Sequence, residues 1–229
     1  MRDSDVQEAL ASLYLRLNGY FTSGFIVHAP QDSGSTRTEI DVLAVRFPQN
    51  AEPERRVKPS DYLEVSSAYI DFIIAEVKGG TQSLQFNPPL REPDCLRNVL
   101  QWMGAFTSAE TEELQAELLE LMQSRERNEP SSFIQVFGPC YTRIRAILFG
   151  MDRGGPRSNQ PKYIPGSEVM GFVWECMRPQ QPRPSCQTAY DYQLWGPYEP
   201  IVRYFKRNDC REPGSVSDLV QFVREHQDA

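Results

Sequence analysis

Residues 68 to 80 form one nearly continuous apolar segment, AYIDFIIAEVKGG, that ends in charged residues and two glycines. A strand with one face in water alternates apolar and polar residues, whereas a strand covered on both faces is apolar almost throughout. We therefore expect residues 68 to 80 to form a central strand of a sheet. A sheet covered on both faces by helices is an α/β architecture.

The rest of the first 151 residues supplies the elements for such a fold. A helix is predicted from Ser4, which begins a capping box, to about residue 18. The segment 36 to 47 alternates as a strand does, which places Asp41 on one face and Ile40 and Val42 on the other. The predicted fold class is α/β, with a mixed central sheet flanked by helices. Its further strands are predicted at residues 24–28 and 144–151, and its further helices at 95–106 and 111–127.

The chain length suits one domain with an extension better than two full domains. It has 229 residues, and residues 153 to 162 are rich in Gly, Pro and Ser, as linkers and long loops are. We therefore predict a core at residues 1–151 and a C-terminal extension at residues 152–229 that packs on this core. The extension is expected to contain helices at residues 198–206 and 215–226.

The scarcity of histidine excludes several kinds of catalytic site. The chain contains His28 and His226 alone, and its five cysteines include no CxxC pair. A Ser-His-Asp or Cys-His mechanism, or a zinc site with several histidines, would therefore depend almost entirely on His28. Any catalysis by this chain would therefore use carboxylates and lysine, with or without a hard metal ion.

Charged residues lie within the predicted strands, and these are the best candidates for a site. Glu76 and Lys78 are two residues apart, so they project from the same face at the end of a buried strand. Burying ionised groups there costs on the order of several kcal/mol unless the groups are paired or bind an ion. Asp41 on the neighbouring strand could meet Glu76 and form a site for Mg²⁺ or Mn²⁺, and Lys78 could orient or deprotonate a metal-bound water.

Each of these residues also has a structural interpretation. Asp41 could face solvent on an edge strand, and Glu76 with Lys78 could be an exposed ion pair at a strand end. Asp71 is a rival metal ligand, but its position in the alternation of the strand places it on the face opposite Glu76.

The pattern resembles the PD-(D/E)xK nuclease superfamily, whose fold is that of restriction endonucleases and Holliday-junction resolvases. The resemblance covers about residues 4 to 150: Glu8 on the first helix, Asp41 on a strand, and Glu76-Val-Lys78 at the end of the next. It implies a restriction-endonuclease-like core and a Mg²⁺- or Mn²⁺-dependent nuclease. Asp41 and Glu76 would bind the metal, Lys78 and Glu8 would complete the catalytic set, and DNA is favoured over RNA. The sequence departs from the pattern in having Ile40 before Asp41 and an insertion at residues 48–67.

The charge distribution indicates where a nucleic acid could bind. Residues 1–139 carry 12 basic and 21 acidic side chains, whereas residues 140–211 carry 11 and 6. We therefore expect Arg203, Lys206 and Arg207 to contact phosphates, although packing of a small appendage would explain the same segment. The N-terminal residues lack the apolar segment of a signal peptide, so a cytoplasmic protein without a membrane span is expected.

Three functions remain open at this point. The first is the metal-dependent nuclease. The second is a catalytically silent, nuclease-like subunit that binds nucleic acid or assembles with a protein partner or a second copy of itself. The third is an unrelated carboxylate enzyme, such as a glycosidase, which would work without added Mg²⁺.

Overall fold

The computed structural model describes residues 1–28, 36–51, 57–80, 83–123, 133–137, 141–153, 163–178, 192–207, 209 and 211–226. The linker predicted at residues 153–162 and the end of the helix predicted at residues 111–127 lie largely outside these ranges. Within them, no helix is long and apolar enough to cross a membrane.

The centre of the molecule is a mixed sheet. Its strands are β1 Phe21–His28, β2 Thr36–Arg46, β3 Ile70–Lys78, β4 Phe133–Phe137, β5 Tyr141–Gly150 and β6 Ile164–Pro165. Their order is β1-β2-β3-β5-β4, with the short β6 paired to β5. β2 is antiparallel to both β1 and β3, β3 and β5 run parallel, and β4 is antiparallel to β5. The predicted α/β class with a mixed central sheet is confirmed, and β3 is central as expected.

Helices cover both faces of this sheet. The α-helices in the described residues are α1 Asp3–Leu17, α2 Pro93–Met103, α3 Ser108–Gln123, α4 Gly166–Met177, α5 Glu199–Lys206 and α6 Val216–Glu225. Short 3-10 helices occur at Asp61–Leu63, Pro88–Arg91 and Tyr192–Tyr198. α1 begins one residue before the predicted start. Arg2 and Asp5, rather than Ser4, form the capping contact, because the backbone N–H of Arg2 donates to Asp5 Oδ2 at 2.8 Å.

Two apolar cores lie on opposite faces of the sheet. The α1-side core joins α1 to α4, α5 and α6, and its members include Leu10, Tyr14, Ile73, Ala75, Phe172, Ile201 and Leu219. The α2-side core joins α2 and α3 to the sheet, and its members include Ile40, Leu43, Ile74, Leu96, Leu100, Leu118 and Ile144. The helices after residue 152 thus share a core with α1 and β3, while the division of the chain at residue 151 stays a prediction.

The alternation of β2 is interrupted beside Asp41. Ser23 pairs with Leu43 and Phe25 pairs with Ile40, so two residues of β2, Asp41 and Val42, oppose a single residue of β1. This count defines a β-bulge, which changes the direction of the side chains that follow it. The prediction that Ile40 shares a face with Val42 is therefore wrong: Ile40 belongs to the α2-side core and Val42 to the α1-side core.

A buried ion network lies on the α1 side of the sheet. Asp71 is 1% exposed and accepts hydrogen bonds from Arg145 Nη2 at 2.5 Å, Arg143 Nη2 at 2.7 Å and the hydroxyl of Tyr20 at 2.5 Å. Arg145 Nη1 also donates to the carbonyl oxygen of Leu63 at 2.8 Å. The Asp71 carboxylate therefore binds two guanidinium groups, and it lies on the face of β3 opposite Glu76.

Candidate active site

A pocket of about 540 Å³ opens where β3 ends, and five parts of the chain form its wall. These parts are the first turns of α1, the bulge of β2, the end of β3 with the glycines that follow it, and the turns after β3 and β5. Its lining residues are Asp3, Ser4, Gln7, Glu8, Asp41, Val77, Lys78, Gly79, Gly80, Asn87 and Asp152.

Asp41 lies where β2 and β3 separate. The paired residues of these strands end at Val42 and Ala75, so Asp41 occupies the next position, opposite Glu76. Its carboxylate Oδ2 accepts the backbone N–H of Val77 at 2.7 Å. The Asp41 side chain thus accepts the hydrogen bond that a backbone carbonyl of β2 would accept if the ladder between β2 and β3 continued. Burial raises the pKa of Asp41, while the N–H of Val77 and the ammonium group of Lys78 oppose that rise.

Glu76 is completely buried, and its two carboxylate oxygens differ in their contacts. Oε2 accepts the backbone N–H of Asn87 at 2.7 Å and lies 3.2 Å from Lys78 Nζ. Oε1 has no hydrogen-bond partner among the residues that the structure describes. Burial raises the pKa of Glu76 to about 7. Lys78 and Asn87 lower it, and the charge of Asp41 raises it further. A buried carboxylate oxygen without a protein partner needs an explanation, and a bound water or a metal ion would supply one.

Lys78 is 8% exposed and stands beside Glu76 in the wall of the pocket. Strand alternation places both side chains on one face, where they form the ion pair described above. Lys78 Nζ also donates to the side-chain oxygen of Asn87 at 2.7 Å. The ammonium group is therefore held by two acceptors at the end of β3.

Glu8 faces the same pocket from α1. It is half-buried, and burial together with the negative charges of Asp41, Asp5 and Glu39 raises its pKa to about 7. The structure thus brings Glu8, Asp41 and Lys78 into one pocket wall, whereas Glu76 is not among the lining residues and contacts the wall through its ion pair with Lys78.

Asp152 and Gln7 line the pocket although they were not predicted as site residues. Asp152 follows β5, accepts the backbone N–H of Gly80 and accepts Gln7 Nε2 at 3.2 Å. Gly79 packs so closely on Gln7 that an added Cβ would lie 2.1 Å from Gln7 Oε1. The signal for Asp152 was available, because β3 and β5 run parallel and the residues after parallel strands emerge at the same edge of a sheet.

The pocket is strongly acidic. Asp3, Glu8, Asp41 and Asp152 line it, and Lys78 is the only cationic side chain among its described lining residues. Carboxylates so close to one another raise the free energy of their ionised forms. Bound cations would relieve this repulsion, and an anionic ligand could approach only together with such cations.

The donor set suits a hard divalent ion held by few protein ligands. Within the described residues, no group of three or more His, Cys, Asp or Glu side chains is arranged to hold a metal ion. Mg²⁺, however, is commonly bound through one or two carboxylates and keeps several water ligands. Asp41 and the unpartnered Oε1 of Glu76 fit that mode, so these two residues would hold Mg²⁺ or Mn²⁺.

The three basic residues predicted to contact nucleic acid do not line this pocket. Arg203 forms an ion pair with Glu199 at 2.6 Å. Lys206 Nζ donates to a carbonyl oxygen at the end of α4, and the Arg207 guanidinium lies 4.2 Å from the centre of the Tyr204 ring. All three therefore have intramolecular contacts, and their role in binding phosphates stays a prediction.

The free energy of unfolding of the metal-free protein is expected to fall as the pH rises from about 5 to about 8. The pKa of Glu76 is raised from 4.5 to about 7, so the folded state binds this proton more tightly than the unfolded chain does. Above pH 7 the folded protein must hold an ionised, buried carboxylate, which costs about 1 to 3 kcal/mol. Urea unfolding in EDTA measures the change.

Two variants test the origin of this pH dependence. Glu76→Gln should reduce the decline without abolishing it, because the pKa of Glu8 is also raised to about 7, whereas Glu120→Gln, at an exposed position of α3, should leave the decline unchanged. Wild-type stability that rises between about pH 5 and pH 8 would contradict the prediction.

No family model, no curated protein and no solved structure matches the chain significantly. A function is therefore inferred from the pocket. The relevant features at and beside the pocket are Asp41 at the bulge of β2, the buried Glu76 near the end of β3, whose Oε1 has no partner among the described residues, and Lys78 beside Glu76.

Proposed function

We propose that the chain is a metal-dependent nuclease that hydrolyses phosphodiester bonds, with DNA as its preferred substrate. The observation that carries the proposal is the buried Oε1 of Glu76, which has no hydrogen-bond partner among the described residues. Glu76 lies beside Lys78, and it and Asp41 are the residues next to the last registered pair of β2 and β3. Carboxylates placed in this way supply oxygen ligands, and the lysine supplies a proton-transfer or phosphate-binding group.

The element order supports a restriction-endonuclease-like core as part of this proposal. α1 precedes β1, β2 and β3, then α2 and α3 follow, and β5 lies parallel to β3. The resemblance noted in the sequence implies a succession of helix, three strands, helix and strand, to which this chain adds α3 and β4. It also implies an aspartate on one strand and a Glu-x-Lys sequence at the end of the next, and Asp41 on β2 and Glu76-Val-Lys78 on β3 match these positions.

In the proposed reaction, Asp41 and Glu76 hold the metal ion and Lys78 acts on the reacting groups. A bound Mg²⁺ or Mn²⁺ would supply Lewis-acid activation of water and would offset phosphate charge. Lys78 Nζ, fixed at the pocket wall, can hydrogen-bond a phosphate oxygen as an ammonium group or accept a proton from the attacking water as a neutral amine. The oxygen of that water would bond to phosphorus as its proton passes to the neutral amine or to solvent water. The ester bond on the opposite side would break, and the leaving oxygen would receive a proton from solvent water.

The acidity of the pocket gives the metal a second role in this proposal. A phosphodiester approaching Glu8, Asp41 and Asp152 would be repelled without compensating cations. Phosphate contacts by Arg203, Lys206 and Arg207, outside the pocket, belong to the same proposal. There they would compete with the intramolecular contacts that the three side chains already make.

The test is cleavage of labelled single- and double-stranded DNA and RNA in Mg²⁺, in Mn²⁺ and in EDTA. We expect cleavage that requires the metal and ceases in EDTA. Lys78→Ala should lower the rate by about 100-fold or more but retain Mn²⁺ binding, because the lysine acts on water and phosphate. Lys58→Ala, at an exposed lysine outside the pocket, is the matched control.

Cleavage that continues in EDTA would reject the metal-dependent nuclease. Undiminished cleavage by Lys78→Ala would reject the catalytic role of Lys78. A chain that binds nucleic acid but neither binds Mn²⁺ nor cleaves would instead be the catalytically silent subunit.

A further inference from the structure

The side chain of Asn87 does not cap the 3-10 helix that it precedes. It precedes the 3-10 helix Pro88–Arg91 as its N-cap residue, yet its side chain makes no capping hydrogen bond. Asparagine at an N-cap normally accepts a backbone N–H from the first turn. Here Pro88 and Pro89 offer no such N–H, and Leu90 donates its own to the backbone carbonyl of Asn87 at 3.0 Å. The side-chain oxygen of Asn87 is thus left for another donor.

That donor is the ammonium group of the proposed catalytic lysine. Lys78 Nζ lies 2.7 Å from Asn87 Oδ1, closer than its 3.2 Å distance to Glu76 Oε2. The backbone N–H of Asn87 meanwhile donates to Glu76 Oε2 at 2.7 Å. One residue therefore contacts both functional groups, through its backbone in one case and its side chain in the other.

The two contacts have separate consequences. The backbone contact, together with Lys78, occupies Oε2 of Glu76 and leaves Oε1 as the oxygen without a partner. The side-chain contact gives the ammonium group a second acceptor, which is neutral and so adds no negative charge to an acidic pocket. An ammonium group has three N–H donors, and with two directed at Glu76 and Asn87 the third is left for the pocket.

We propose that Asn87 is a positioning residue, whose side-chain oxygen fixes the Lys78 ammonium group for the reaction. The inference rests on the proposed nuclease function and deepens it. Asn87 itself need not touch the substrate. Because its contact with Glu76 runs through the backbone, substitutions of the side chain separate the positioning of Lys78 from the binding of metal.

The test compares Asn87→Ala and Asn87→Asp with the wild type in two independent measurements. The first is amine labelling followed by mass spectrometry, with exposed Lys58 as the internal reference, and it requires no nuclease activity. The second combines kcat, KM and Mn²⁺ affinity. Urea unfolding checks that each variant is folded.

For Asn87→Ala, we expect labelling of Lys78 relative to Lys58 to rise several-fold. We expect kcat to fall by about 10- to 100-fold, the usual effect of losing a residue that orients a functional group, with KM and Mn²⁺ affinity unchanged. Asn87→Asp keeps an oxygen acceptor at the same distance. It should therefore restore the protection of Lys78 and most of kcat.

Two outcomes would overturn the inference. Wild-type labelling and wild-type kcat in Asn87→Ala would show that the amide does not position Lys78. Loss of Mn²⁺ affinity in the same variant would show that the Asn87 side chain supports metal binding rather than the position of Lys78. If the wild type cleaves no nucleic acid, the nuclease proposal fails, and the labelling of Lys78 still decides whether Asn87 holds it.

Discussion

Glu76→Gln is expected to abolish divalent-metal binding and nucleic-acid cleavage together. The variant keeps the shape of the side chain, and its amide oxygen can still accept hydrogen bonds from the backbone N–H of Asn87 and from the ammonium group of Lys78. What it loses is the negative charge at the fully buried position. Substituting a residue that hydrogen-bonds a metal ligand lowers metal affinity or activity by about 10- to 100-fold. Loss of a direct ligand should therefore lower both Mn²⁺ affinity and the cleavage rate by more than about 100-fold. Titration calorimetry with Mn²⁺ and a cleavage assay measure the two effects.

Asp41→Asn should behave like Glu76→Gln, because its amide oxygen can still accept the N–H of Val77 while the ligand charge is gone. Glu120→Gln, on the exposed face of α3, is the control and should match the wild type. Mn²⁺ binding of wild-type affinity by Glu76→Gln would remove Glu76 from the metal site.

Asp71→Asn is expected to lower the free energy of unfolding by about 3 to 5 kcal/mol, because it breaks a buried ion pair and leaves the opposite charge uncompensated. Arg145 is 0% and Arg143 is 3% exposed, so neither guanidinium can recover its hydration in water. Urea unfolding at neutral pH gives the magnitude. Asp94→Asn is the control, since its ion pair with Arg97 is exposed and should contribute at most about 1 kcal/mol.

The same variant tests the assignment of the metal ligands. Asp71 lies on the α1 side of β3 and is bonded to Arg143, Arg145 and Tyr20, so its loss should leave Mn²⁺ affinity unchanged in protein that remains folded. An Asp71→Asn protein of wild-type stability but without Mn²⁺ binding would reverse the roles of Asp71 and Asp41.

β3 was the element most fully predictable from sequence. Its apolar content indicated a central position, and the period of two residues separated Asp71 from Glu76 and Lys78. The structure places Asp71 in the α1-side network and pairs Glu76 with Lys78 on the other face. These properties depend only on the strand itself, because the alternation of side chains is local to the backbone.

The remainder of the pocket depends on contacts between distant segments. The bulge at Asp41 is defined by how β1 pairs with β2, and a count of residues along β2 alone cannot show it. Asn87 reaches Lys78 because the chain turns back after β3. The sequence Pro88-Pro89 that follows Asn87 does not by itself predict this reversal. The buried arginines of β5 were hidden for a similar reason: an arginine in a strand becomes an ion-pair partner only when the neighbouring strand is known to carry Asp71.

The packing of α1 also determines the order in which the two cores can form during synthesis. The α2-side core draws almost all of its members from residues 27 to 148, whereas α1 packs on β1, β2 and β3 and also on α4 and α6. At about 5 to 20 residues per second, roughly 10 to 40 s separate the synthesis of α1 from that of α6. For that interval α1 lacks the part of its native cover that α4 and α6 supply, including the ring contact of Tyr14 with Phe172. Association of nascent chains through α1 is then the hazard that a chaperone would have to prevent.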